Sequence, residues 1–155
     1  MYRFALPSIL LGLAAAGTVA AGDSPTIVSE EGQVTVHPVE HASFVLEAGD
    51  TRIALDPVGG GDAFEGVDLA LVTDIHGDHF DGEMLQGLAA DGASIVAPAA
   101  VVERMEPQLA RHATVLGNGE RTTISGVTIE AIPMYNLSES PRHPKGRGNG
   151  YVLEV

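Results

Sequence analysis

Asp74, His76, Asp78 and His79 place four metal-capable side chains within six positions of the run 73–81, Thr-Asp-Ile-His-Gly-Asp-His-Phe-Asp. Imidazole and carboxylate together suit Zn, Mn, Fe or Ni better than Cu(I), which prefers sulfur. In an extended segment the side chains at 74 and 76 point the same way, whereas those at 78 and 79 diverge. The run can therefore face one cation or two, and two ions about 3.5–4 Å apart share a hydroxide that is nucleophilic at neutral pH. Gly77 suits a sharp bend between the ligands. In a competing arrangement, Asp78 and Asp81 only cap a turn and the histidines stay solvated. Two imidazoles among three acids, directly after the apolar run Leu69-Ala70-Leu71-Val72, favour metal.

That apolar run reads as a strand buried on both faces, a firm support for a ligand cluster. Before it, strands are expected over 34–36, 42–48 and 51–55, with Gly49-Asp50 as a hairpin turn and a mobile glycine-rich loop at 58–62. After it, Asp81 can cap a helix over 82–90, with Glu83 in its first turn. A strand at 93–97 and a helix over 99–111 follow, with Pro107 marking a break in the helix. Short strands at 114–116 and 121–124, a longer one at 127–134, a Pro- and Gly-rich loop at 135–148 and a strand from 151 complete the order. The mixture points to an α/β sandwich.

The 155 residues suffice for one domain with a real core, and 45% of them are hydrophobic. There are no cysteines, which excludes disulfides, thiolate metal ligands and a Cys nucleophile. A net charge of −13 repels phosphate backbones, so nucleic acid is a poor partner. Residues 1–21 have the layout of a secretory signal peptide: Arg3, an apolar core over 5–16, then small residues ending at Ala21. Cleavage after Ala20 or Ala21 leaves a chain with no stable membrane insertion, exported to the periplasm or the medium. Residues 22–33 read as a flexible lead-in, and 34–155 as the folded domain.

The segment resembles the metallo-β-lactamase superfamily, whose signature after a buried strand is His-x-His-x-Asp-His. Here Asp74 stands at the first His, and His76, Asp78 and His79 match the rest. The pieces His41-Ala42-Ser43-Phe44, Asp56-Pro57, 132–136 (Ile-Pro-Met-Tyr-Asn), 143–146 (His-Pro-Lys-Gly) and 150–152 (Gly-Tyr-Val) are similar to the lactonase-like branch. The resemblance covers about 34–155. It implies an αββα sandwich, of which this chain supplies the first half and the start of the second. It also implies that a later bridging Asp and a further His lie beyond residue 155, so the domain is expected to be incomplete and to self-associate through its open sandwich. A third His belongs near 136, where Asn136 stands, and His143 is the nearest imidazole.

The implied ligands are His76, Asp78 and His79, with Asp74 and His143. Asp74 is either a hard oxygen donor or an orienting group behind a ligand. Asp56 is expected to fix the tautomer of a ligand His, and His41 to sit behind the site. The cofactor is one or two divalent ions, zinc first, with Mn or Fe as alternatives. Asp78 also takes a proton from the attacking water. The expected activity is hydrolysis of an ester, lactone, amide or phosphodiester in a small molecule. The rival expectation is a non-catalytic metal-binding half-domain. Lys145 and Arg147 read as exposed cations that an anionic substrate would meet. Ser43 lacks the surroundings of a serine nucleophile.

Overall fold

The computed structural model describes residues 24–29 and 32–155. The signal peptide expected over 1–21 lies outside these residues. Seven strands form one sheet in chain order: β1 (Thr26–Ser29), β2 (Gly32–Glu40), β3 (Ser43–Ala48), β4 (Thr51–Leu55), β5 (Leu69–Leu71), β6 (Ser94–Ala97) and β7 (Ala113–Val115). Neighbours are antiparallel from β1 to β4 and parallel from β4 to β7. A second, antiparallel sheet has the order β10 (Gly148–Glu154), β9 (Val127–Met134), β8 (Arg121–Ile124). The helices are α1 (Gly82–Ala90), α2 (Ala99–Val102) and α3 (Pro107–Ala110).

Alternation along β5 and beyond divides the interior into two cores. Ala70 and Val72 pack with Leu85 and Leu88 of α1 and Leu109 of α3. Leu69 and Leu71 point the other way, against Val127, Ile129 and Ala131 of β9. All four side chains of 69–72 are fully buried. The described residues therefore stack as helices, large sheet and small sheet, the α/β arrangement expected of a metallo-β-lactamase-like sandwich. Among them, no helix is long and apolar enough to cross a membrane.

Local chemistry sets the boundaries. Asp81 caps α1, its carboxylate accepting the N–H groups of Glu83 at 3.0 Å and Met84 at 3.1 Å. Such a cap stabilises a helix by about 1 kcal/mol. Gly49 adopts the left-handed φ of +59° that the β3–β4 turn requires. Two expectations are corrected. The lead-in is not irregular throughout, because Thr26-Ile27-Val28 is rich in β-branched residues and pairs along β2 as an edge strand. The mobile loop at 58–62 runs into a 3-10 turn, Gly61–Phe64, anchored by the buried Phe64 ring. The helix over 99–111 breaks at Pro107 as expected, since Pro107 has no N–H to continue a helix and instead starts α3, but α2 already ends at Val102.

Candidate metal centre

The ligand run leaves the carboxyl end of β5, and β4 ends beside it at Asp56. Crevices outside the carboxyl ends of parallel strands are where open α/β sheets place ligands. Asp56 has a left-handed backbone, φ +46°, and its N–H donates to the Leu71 carbonyl at 2.8 Å. Ser43, buried on β3, donates its hydroxyl to the Asp56 carbonyl at 2.6 Å. This bend turns the Asp56 side chain inward. One carboxylate oxygen accepts the Thr73 N–H at 2.7 Å, and the other accepts the Thr73 hydroxyl at 2.7 Å. The second oxygen also lies 2.7 Å from His79 Nδ1. With Nδ1 held there, His79 offers Nε2 to the site. The Asp56 bond raises the His79 pKa above the ordinary imidazole value, outweighing the effect of burial.

His76 is held in the same manner. Its Nδ1 lies 2.8 Å from Asp74 Oδ2, and Asp74 is fully buried. The chain then turns back, with the N–H groups of His79 and Phe80 both donating to the His76 carbonyl at 2.9 Å. Gly77 sits in this turn, but its φ is not left-handed and a Cβ there would meet open space, so the bend does not depend on glycine.

His143 arrives from the other sheet, on the loop between β9 and β10. Asn136 clamps it: the Asn136 N–H donates to the His143 carbonyl at 2.9 Å, and Asn136 Oδ1 accepts the His143 N–H at 3.0 Å. The same oxygen lies 3.2 Å from His143 Nδ1, which assigns that ring nitrogen as the donor. Its Nε2 is buried and makes no hydrogen bond, although Asp74 Oδ2 is 3.2 Å away. The ring centres of His76 and His143 are 5.0 Å apart, those of His79 and His143 5.8 Å, and those of His76 and His79 6.5 Å. One ligand atom from each of Asp74, His76 and His143 lies within 4.8 Å of the others. An orphaned, buried imidazole nitrogen beside a carboxylate and a second imidazole is a donor set that fits a divalent cation; His79, with its ring centre 5.8 Å from that of His143, lies outside this group.

Asp78 stands at the mouth, 56% exposed, with its carboxylate 3.8 Å from His79 Nε2. A bond from its own backbone N–H holds its carboxyl below the usual carboxylate range, against desolvation, and the charges of His79, His76 and Arg142 add to this. His41 is not behind the site. It sits on the β2–β3 turn with φ +47°, its side chain is 68% exposed, and its ring pairs with Glu40 at 3.3 Å. The turn itself throws the ring outward. Arg147 is not an exposed surface cation either. Its guanidinium forks onto Asp74, Nε to Oδ1 at 2.9 Å and Nη2 to Oδ2 at 2.8 Å. For Asp74, burial pushes the pKa up, but the bonds from Arg147 and the Ile75 N–H outweigh it and the net direction is down. Lys145 remains at the surface, 5.5 Å from the centre of the Tyr135 ring.

Two residues of consequence carried no local signal. Arg147 pairs with a carboxylate 73 positions away, and Asn136 read only as a missing His. Asn149 and Tyr151 complete the setting. The Asn149 N–H donates to the Thr73 carbonyl at 2.9 Å and the Tyr151 hydroxyl to the Val72 carbonyl at 2.8 Å, so the small sheet is bonded to the strand end that leads into the Asp74–His79 run.

The sequence matches the family described as "Beta-lactamase superfamily domain" over residues 35–155. The chain belongs to that family. It is 32% identical over 129 residues to a UPF0173 metal-dependent hydrolase of Thermococcus kodakarensis, and 30% identical over 130 residues to one of Pyrococcus abyssi. Both alignments cover 79% of this chain and 57% of the relative, so the chain spans little more than half the length of these hydrolases. Among solved structures, it superposes on a candidate metal-dependent hydrolase from Parabacteroides distasonis with a TM-score of 0.73 at 28% identity, over 85% of this chain and 61% of that one. The diiron β-hydroxylase CmlA of Streptomyces venezuelae shares the fold, with a TM-score of 0.57 at 19% identity, over 78% of this chain and 27% of that one. The family is thus one of metal-dependent hydrolases with a metallo-β-lactamase-like fold, and Asp74, His76 and His143 form a group that could hold a metal ion.

Proposed function

We propose that this chain carries the water-activating centre of a hydrolase that cleaves an ester, lactone, amide or phosphodiester bond in a small molecule. One observation supports this above the others. His76, His79 and His143 each have Nδ1 committed to an oxygen, of Asp74, Asp56 and Asn136 respectively, so each presents Nε2. Outer partners of this kind fix the ring and raise its basicity as a ligand. These three residues, with Asp78, would hold one or two divalent ions, and the nitrogen-rich set favours zinc over manganese, with iron as the other option. A cation bound there lowers the pKa of a coordinated water and polarises the scissile carbonyl or phosphoryl group. Asp78, ionised and open to solvent at the mouth, accepts the proton that the water gives up. Asp56 and Asn136 keep their imidazoles from rotating as charge develops.

Metal analysis of the purified chain, with hydrolysis of bis(p-nitrophenyl) phosphate and of a simple lactone before and after chelation, tests the reading. The expected result is bound divalent metal and turnover that chelator abolishes and metal restores. Metal bound tightly without turnover of either substrate would support the non-catalytic metal-binding alternative. Protein that takes up no metal would overturn both.

We further propose export, supported by the Arg3-led apolar stretch that ends in small residues at Ala21. Protein recovered from periplasm or medium should begin at Ala21 or Gly22 on N-terminal sequencing. Recovery from the cytoplasm with Met1 or Tyr2 still in place would refute it.

A further inference from the structure

We propose that Arg147 is a positioning residue of the cation site: by saturating Asp74 it commits that carboxylate to orienting His76 and withholds it from the cation. The inference rests on the reading of His76, His79 and His143 as ligands.

Distance alone groups Asp74 with His76 and His143 as a ligand set. The lone pairs argue otherwise. A carboxylate offers about four acceptor sites. Those of Asp74 already receive Arg147 Nε–H, Arg147 Nη2–H, His76 Nδ1–H and the Ile75 N–H. A cation could enter only by displacing one of these donors. It would then share a carboxylate with a guanidinium that stays protonated in proteins. The two-pronged geometry makes the guanidinium the hardest donor to displace.

The backbone is built to deliver this arginine. Gly148, the next residue, passes so close to β5 that a Cβ would lie 2.8 Å from the Thr73 carbonyl oxygen and 2.8 Å from the Met134 methyl carbon. Only glycine lets β10 approach to the point where the Asn149 N–H reaches Thr73. Arg147 also donates to the Arg142 carbonyl, directly ahead of His143. One side chain therefore braces His76 through Asp74 and the segment that presents His143. The first position of the metal motif, an imidazole in the resembling family, is here an internal ion pair.

Two measurements on the full chain test this. The first is the imidazole tautomer by 15N NMR in metal-free protein at a pH where the rings are neutral. His76 should carry its proton on Nδ1, and Asp74→Asn should shift that proton toward Nε2. The second is titration with Co(II), followed by visible absorption. Asp74→Asn should weaken Co(II) binding by about 10–100-fold, as loss of an outer partner does, while the band positions stay those of the unaltered chain. Arg147→Ala frees carboxylate lone pairs, so the Asp74 oxygen should enter the coordination sphere and shift the bands. Arg147→Lys keeps the charge without the fork and should fall between. A role in folding alone would move neither tautomer nor bands. The proposal is overturned if His76 is Nε2–H in the unaltered chain, or if Asp74→Asn shifts the bands as His76→Ala does. It also fails if folded Arg147→Ala and Arg147→Lys both leave the bands unmoved. Should the unaltered chain bind no Co(II), the ligand reading falls, and the metal-free tautomers still decide whether Asp74 orients His76. If Arg147→Ala does not fold, Arg147→Lys and Asp74→Asn carry the same test.

Discussion

Arg147→Ala should cost about 3 kcal/mol of folding stability, the lower end of the range for removing one partner of a buried ion pair. The lower end applies because the arginine side chain is 21% exposed while Asp74 is wholly buried. What remains is a carboxylate in the interior with only the His76 imidazole and the Ile75 N–H to satisfy it. Total stabilities are about 5–15 kcal/mol, so the change would be plain in a urea unfolding curve as a lower midpoint at unchanged slope. The control is the pair Asp74→Asn and Arg147→Met together. Removing both charges should destabilise less than removing the arginine alone, because no buried charge is left stranded. If the single arginine variant unfolds at the same urea concentration as the unaltered chain, the ion pair contributes nothing.

Asp56→Ala should be comparably damaging, for a different reason. Three donors converge on that carboxylate: the Thr73 N–H, the Thr73 hydroxyl and His79 Nδ1. A buried donor left without an acceptor costs about 1–3 kcal/mol. The left-handed backbone adds about 1–2 kcal/mol for alanine, which aspartate and asparagine tolerate better. The combined loss should be about 3 kcal/mol or more, less than the sum because the donors share one partner. Asp56→Asn separates stability from site chemistry. It keeps the volume, the backbone tolerance and one acceptor oxygen, so stability should fall by about 1 kcal/mol. Its amide nitrogen cannot accept from His79, so divalent cation affinity should still fall by about 10–100-fold. Calorimetric titration with Zn(II) and thermal melts of the two variants check this. Equal affinity in Asp56→Asn and the unaltered chain would dismiss Asp56 as an orienting group.

Much of the scaffold was readable from local pattern. The 69–72 run announced a strand buried on both faces, and its alternation divides the helix-side core from the inter-sheet core. Asp81 marked the start of α1, and the bounds of α1, β8 and β9 are those expected. Elements whose signal was weak were misjudged. Thr26-Ile27-Val28 lies in a polar stretch, and only pairing with β2 makes it a strand. The break at Pro107 was legible, but the earlier end of α2, at Val102, was not.

The candidate site was legible where its residues are neighbours in sequence and opaque where the fold brings them together. His76, Asp78 and His79 stood out because they adjoin one strand. The place of His143 depends on the Asn136 clamp, seven residues away. The Asp74–Arg147 pair spans both sheets, and no window on the sequence contains it. His41 failed for the converse reason: a familiar short segment was informative, but the turn geometry decided where its ring went.

The bonds from Asn149 and Tyr151 to the end of β5 tie together two layers that each carry part of the candidate cluster, His76 and His79 beside the large sheet and His143 beside the small one. An ion gripping all three would act as a removable rivet through the sandwich. Any protein that gains or loses such a rivet changes its resistance to unfolding with the free ion concentration around it. In an acidic chain without cysteines, the supply of such ions would then regulate how long the molecule resists unfolding.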